Sequence, residues 1–224
     1  MSQVVRVAGT SEARLGAWAP ASALYALSQL GSGVAVRMAE AASDADDAVL
    51  RETALWIANG SMPIGERRDM LLTIEKVLIL RSVGIFANVR ESALTQVAQT
   101  VREVKIKAGE TLFEQGDFGD ALYIIANGKL RIHIGDLTLA EIGERQVVGE
   151  MSALDPEPRS ASISAVEDSL LLRMSSDNLE RLIADDIRVA RGIIRELCNR
   201  IRNANKAAAP AINKADPEPE MEPA

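Results

Sequence analysis

Residues 148–161 read VGEMSALDPEPRSA, and this stretch decides the fold. It lies between two short runs of strand character, Gln146–Val148 and Ser162–Ala165. Gly149 permits close approach of the backbone to a ligand. A helical turn over Glu150–Leu154 would point free N–H groups outward, its positive dipole end toward an anion. Pro156 and Pro158 stop that turn. Arg159 supplies a planar guanidinium suited to two phosphate oxygens. Ser160 adds a hydroxyl and an N–H. An acid beside an anion site is out of place unless it accepts a hydrogen bond from a sugar hydroxyl. Glu150 can do so for a ribose 2′-OH. Together these groups describe a pocket for a phosphorylated ribose.

The segments around this stretch alternate as strands do. Val104 and Ile106 alternate with Lys105 and Lys107, and Leu122–Ile125 is wholly apolar. Asn127-Gly128 is a hairpin signal, since both residues tolerate positive φ. Leu130, Ile132 and Ile134 alternate with Arg131 and His133, and Gly135-Asp136 turns the chain again. Leu137, Leu139 and Ile142 follow, and Leu170–Met174 closes the series. Short strands with frequent turns indicate a jelly roll or small barrel. Helices flank it. Asn88-x-x-Glu91 is close to a capping box for a helix reaching Gln99. Ser175 can cap a helix to Ala184, and a longer helix runs from Asp186 to Arg202.

Residues 148–161 resemble the phosphate-binding cassette of the cyclic-nucleotide-binding domain family, which includes catabolite activator proteins, kinase regulatory subunits and gated channels. Gly149-Glu150 followed by Pro158-Arg159-Ser160-Ala161 carries the resemblance. A second signature agrees: Gly116-Asp117-x-Gly119-Asp120-Ala121, then Leu122–Ile125, then Gly128. The resemblance implies an α+β fold over residues 70–203, an eight-stranded antiparallel β-roll (jelly roll) with flanking helices, its glycines shaping the turns. It implies that Glu150 binds the ribose 2′-OH and Arg159 the cyclic phosphate. Gly149 and the N–H groups near Met151, Ser152, Ser160 and Ala161 would complete the cradle. The helix from Asp186 would swing as a lid over the base. Val148 replaces a more common phenylalanine and Ala153 a larger aliphatic, both packing changes. cAMP is favoured over cGMP, because Ser160 stands where members preferring cGMP often carry threonine. The nucleotide would be a ligand, not a catalytic cofactor, and no metal is expected.

The rest of the chain bounds the reading. The 224 residues are 47% hydrophobic and 25% charged, enough for one domain plus an accessory segment. Residues 1–69 read as helical, with Ala21–Leu30 and Val34–Ala42 broken at Gly31-Ser32-Gly33. Asp44 and Asp46 can cap a third helix over Asp47–Asn59. Its apolar residues cover more than one face, so residues 21–60 are expected to pack on the rest of the chain. Their rhythm is loosely similar to a HEAT-type solenoid, although about three such units are usually needed for a core. Residues 204–224 hold four prolines and alternating acids, and read as a disordered tail. Leu15–Val36 lacks charge, but alanine, serine and glycine dilute its transfer energy, and a membrane span is not expected.

These features favour a cytoplasmic regulatory module that senses a cyclic nucleotide and relays occupancy through its C-terminal and N-terminal helices. The alternatives are a constitutive scaffold with an unoccupied pocket and the cytosolic tail of a transporter. The lone Cys198 fits a reducing compartment. No nucleic-acid partner is expected at a net charge of −7. A transcription factor of the catabolite-activator type would also need a helix-turn-helix after the long helix. A protein partner is expected. Ala190, Ile194, Leu197 and Ile201 form a stripe that fits either a lid seam or a homodimer seam. Arg188, Arg191, Arg195, Arg200 and Arg202 read as a solvated helix face. His133 reads as a surface residue, and no catalytic set is evident, so the chain is read as a non-enzyme.

Overall fold

The computed structural model describes residues 18–60, 71–155 and 157–212. Three helices come first: α1 (Trp18–Gln29), α2 (Gly33–Ala42) and α3 (Ala48–Ala58). The expected break at residues 31–33 is present, and Ser32 caps α2 by accepting from the Val34 amide. Asp47, not Asp44 or Asp46, caps α3. It is the last acid of the run, and its side chain reaches the Leu50 amide at 2.8 Å. Two helices follow, α4 (Thr73–Ser82) and α5 (Glu91–Thr100). The box expected at Asn88 does not form. Arg90 is the N-cap of α5, and its amide donates to the Asp186 carboxylate at 3.0 Å instead.

Eight strands follow among the described residues, in two four-stranded antiparallel sheets. One sheet has the order β1-β8-β3-β6: β1 (Arg102–Ile106), β3 (Ala121–Asn127), β6 (Val147–Val148) and β8 (Ser169–Ser175). The other has the order β2-β7-β4-β5: β2 (Thr111–Phe113), β4 (Leu130–Ile134), β5 (Leu137–Ile142) and β7 (Ser162–Ala165). The short β2 carries no legible alternation and is absent from the sequence reading. The unbroken apolar run of β3 has a simple cause. Leu122 and Ile124 face a core shared with Phe86, Leu94, Leu172 and Leu179 of the helical layer and β8. Tyr123 and Ile125 face the second sheet, with Leu130, Ile163 and Leu171. A strand apolar on both faces belongs between two layers. At the turn after β3 only Gly128 takes positive φ, 102°, and a side chain there would overlap Ser169.

Three more helices complete the described chain: α6 (Glu150–Leu154), α7 (Ser176–Asp185) and α8 (Arg188–Ile212). Ser175 caps α7 as expected. Helix α8 continues past Arg202 to Ile212, so the first part of the expected tail is helical. Ala207-Ala208-Ala209 have the highest helix propensity of any residue type and carry the helix on. The remainder of that expectation, residues 213–224, lies outside the described residues. None of the helices described is long and apolar enough to cross a membrane.

The N-terminal helices are joined to the domain as expected. Leu24, Leu27, Ala35, Ala39, Ala54 and Ile57 form one cluster among themselves. Tyr25 and Val49 form a second with Leu72 and Ile74 of the next segment. The Tyr25 hydroxyl donates to the buried Glu75 carboxylate at 2.8 Å, and the Leu72 amide donates to its other oxygen at 2.8 Å. Glu103 on β1 extends the joint, accepting from the Leu71 amide at 2.8 Å and pairing with Lys76 at 3.1 Å. Tyr25→Phe removes a buried bond to a charged group, a loss of about 1.5–3 kcal/mol. We expect urea unfolding, followed by the fluorescence of neighbouring Trp56, to show that decrease. An unchanged midpoint would show that this joint lends the fold no stability.

Candidate functional site

Two sequence segments meet at Arg159. Its main chain accepts from the Gly116 amide at 2.9 Å and donates to the Asp117 carbonyl at 2.8 Å. The turn of residues 116–119 and the Pro-Arg-Ser-Ala stretch are thus neighbours. The Arg159 side chain is 5% exposed. Its Nη1 donates to the Gly149 carbonyl at 2.9 Å and its Nη2 to the Ala121 carbonyl at 2.8 Å. The guanidinium carbon sits 4.1 Å from the centre of the Phe113 ring. Its Nε is buried and has no hydrogen-bond partner among the described residues.

The glycines around this group divide by role. Gly149 takes a left-handed φ of 74° at the N-cap of α6, where β6 turns into the helix. Gly119 does not take positive φ, unlike a turn glycine. It leaves space instead: a Cβ there would overlap the Arg159 guanidinium. This corrects the expectation that the signature glycines all shape turns.

Glu150 is 2% exposed. Its Oε1 pairs with Nη1 of Arg200 at 2.5 Å, and Nη2 of Arg200 donates to the Val147 carbonyl at 2.7 Å. Burial pushes the Glu150 carboxyl above its ordinary value, and the Arg200 charge pulls it back down. The pair brings α8 onto the cassette. Sequence reasoning placed Arg200 on a solvated face with four other arginines, and nothing in their spacing separates it from them.

All seven residues expected to form the site, Gly149, Glu150, Met151, Ser152, Arg159, Ser160 and Ala161, line one open cleft. The cleft adds Phe113, Ile132, Val148, Ile163 and Arg200. Val148 and Ala153 are both buried, in keeping with packing roles. Pro156, expected to stop the helical turn, lies outside the described residues.

The seam of α8 differs from the expected stripe. Val189 and Ile193 are buried and Leu197 packs on the same core, whereas Ile194 and Ile201 are each 60% exposed. Four-residue spacing, not the 4-3-4 stripe, makes the inner face. At its start, Asp186 accepts from the amides of Arg90 and Arg188 and binds the Arg188 side chain. The Arg188 side chain and these amides hold its carboxyl well below the usual carboxylate range. His133 is half-buried, not a free surface residue. Its Nε2 lies 2.9 Å from Ser164 Oγ and its Nδ1 2.7 Å from the Gly135 carbonyl.

The family described as cyclic nucleotide-binding domain matches residues 103–186. Over 139 residues the chain is 32% identical to the CRP-like cAMP-activated global transcriptional regulator of Mycobacterium tuberculosis, a match covering 60% of this chain and 62% of that protein. It is 42% identical over 102 residues to the cyclic AMP receptor protein of Thermus thermophilus, covering 43% of this chain and 47% of that one. The crystal structure of the Thermus thermophilus catabolite activator protein superposes with a TM-score of 0.51 at 34% identity, over 56% of this chain and 62% of that chain. The chain therefore spans about half to three-fifths of these curated relatives.

The Glu150–Arg200 pair has a measurable pH signature. With the folded pKa of Glu150 raised above its unfolded value near 4.3, the folded state holds the proton more tightly. Stability then falls as pH rises from about 4 through the folded pKa, and levels off above it. Arg200 restrains this rise. Arg200→Met should extend the falling window to higher pH and steepen the loss, read by urea unfolding between about pH 4 and pH 8. Parallel profiles for the two proteins would show that Arg200 does not hold the carboxylate.

Proposed function

From the match of residues 103–186 to the cyclic nucleotide-binding domain family, we propose that this chain is a regulatory module whose cleft binds a cyclic nucleotide, cAMP in preference to cGMP. One observation carries the reading. Arg159 lines the cleft as a buried cation whose Nε has no partner among the described residues, held among Gly149, Glu150, Met151, Ser152, Ser160 and Ala161. A buried cation with an unused donor calls for an anion. In this reading the cyclic phosphate takes Arg159, and the ribose 2′-OH donates to Glu150. Ser160 and the cAMP named in two relatives support the choice of base. The chain acts by binding, not by catalysis, and the lone Cys198 fits the cytoplasm.

Occupancy is relayed through α8. Glu150 serves both the sugar and Arg200, so a ligand that engages this carboxylate changes what holds the helix. At its other end α8 rests on the segment after α4: Gly192 lies against the Ile85 backbone so closely that a Cβ would overlap the carbonyl. Helix α4 in turn contacts α1 and α3, which gives the signal a route to the N-terminal helices.

A protein partner is expected, and one observation favours a second copy of this chain. Ile194 and Ile201 on α8, with Ile187 in the turn just before it, recur every seven residues, each 60% exposed. That is the spacing of a two-helix seam. At a net charge of −7 we assign this chain a ligand-sensing role without a nucleic-acid partner.

Calorimetric titration with cAMP tests the reading. The wild type should bind, and Arg159→Ala should weaken binding by about 30- to 1000-fold while leaving the fold intact. Glu150→Ala should also weaken it and should reduce discrimination against a 2′-deoxy analogue. A wild type silent at millimolar cAMP would leave a scaffold with an unused pocket.

A further inference from the structure

We propose that Phe113 and Gly119 are positioning residues for Arg159: together they form a slot that fixes the tilt of its guanidinium before an anion arrives. The proposal rests on the reading that the cleft binds a cyclic nucleotide.

An arginine side chain has many rotamers, and freezing it at the moment of binding costs affinity. Arg159 is already held. The carbonyls of Gly149 and Ala121 take one proton from each terminal nitrogen, at 2.9 and 2.8 Å. Two such bonds set the position of the fork within its plane. They leave the plane free to tilt about the line joining the two acceptors. The Phe113 ring, 4.1 Å from the guanidinium carbon, removes that freedom, because the cation is attracted to the ring face. Phe113 is itself braced. Its ring leans on Tyr123 at 6.0 Å with a tilt of 37°.

Gly119 supplies the room. A Cβ at this position would overlap three atoms of the guanidinium group, Nε among them. The overlapping atoms belong to the far end of a flexible side chain. A methyl group at residue 119 therefore displaces Arg159 without straining the backbone. Phe113 and Gly119 thus act on the same group by opposite means, one by contact and one by vacating space. Neither residue needs to touch a phosphate to matter.

Calorimetric titration with cAMP decides the matter, using wild type, Phe113→Leu, Phe113→Tyr and Gly119→Ala, with Phe113→Leu repeated in an Arg159→Lys background. Leucine keeps the apolar bulk and loses the ring face. Tyrosine keeps the face. Phe113→Leu should weaken binding about 3- to 30-fold, and Phe113→Tyr should stay within about threefold of wild type. In the Arg159→Lys background, which lacks the planar fork, Phe113→Leu should cost less than about twofold, because the two residues act as one unit. Gly119→Ala should weaken binding at least as much as Phe113→Leu, while still giving a cooperative thermal unfolding transition in the absence of ligand. Equal losses from Phe113→Leu in both backgrounds would overturn the proposal, as would wild-type affinity in Gly119→Ala. Should Phe113→Leu fail to fold, Gly119→Ala alone decides. A wild type that does not bind cAMP overturns the cyclic-nucleotide reading itself, and the slot falls with it. A wild type that binds while both slot variants match it overturns the slot only.

Discussion

A guanidinium buried at the edge of a sheet must find acceptors, and the arrangement around Arg159 follows from that requirement. Removing a cation from water costs several kcal/mol unless hydrogen bonds replace the lost hydration. Here the Gly149 and Ala121 carbonyls provide them, one from the cassette and one from the first residue of β3. The same residue's main chain is bonded to Gly116 and Asp117. Arg159, through its side chain and main chain together, therefore ties the cassette to residues 116–121, about forty residues earlier in the chain. The packed core lies behind this knot and does not fill it: Leu122, Ile124 and Leu172 are apolar neighbours one layer away.

The second buried charge has a different character. Glu150 gains its main stabilising partner from α8, an element that packs by its own inner face of Val189, Ile193 and Leu197. A carboxylate left buried and alone would be strongly destabilising, so the cassette and the helix constrain each other. Asp186 makes a comparable link at the start of the same helix, where it serves the ends of α5 and α8 at once. The helix is thus fixed electrostatically near both ends of its packed portion, with apolar contacts between. Such a helix has two ways to respond to a change at either charge, and both are cooperative with its packing.

Much of this was legible in the sequence, for identifiable reasons. The cassette is read from residue types whose chemistry is local: a glycine, an acid, a pair of prolines and an arginine in order. The apolar run of β3 betrays burial on both faces. What stayed hidden depends on distant partners. Arg200 is chemically identical to Arg191 and Arg195 on the same helix, and only the fold brings it to Glu150. The Arg90 amide at the start of α5 finds its acceptor in Asp186, which no local motif could indicate. Gly119 looks like a turn glycine because its neighbour Gly116 is one, with φ of 90°. Its actual reason is an arginine forty residues on. The strand β2 has three residues, too few for a period to show.

The backbone contact between Gly192 and Ile85 has a mechanical consequence. It lies five residues into a helix of 25, so most of α8 extends beyond it. At 1.5 Å of rise per residue, the length from Gly192 to Ile212 is about 30 Å, its first part packed on the domain through Ile193, Leu197 and Arg200. Rotation about this fulcrum through roughly 10° would carry the far tip about 5 Å, while the residues beside the contact hardly move. Glycine at the fulcrum lets two main chains roll on each other with no side chain to jam them. A displacement small enough to fit within a ligand cleft would be magnified along such a lever, with no helix unfolding required.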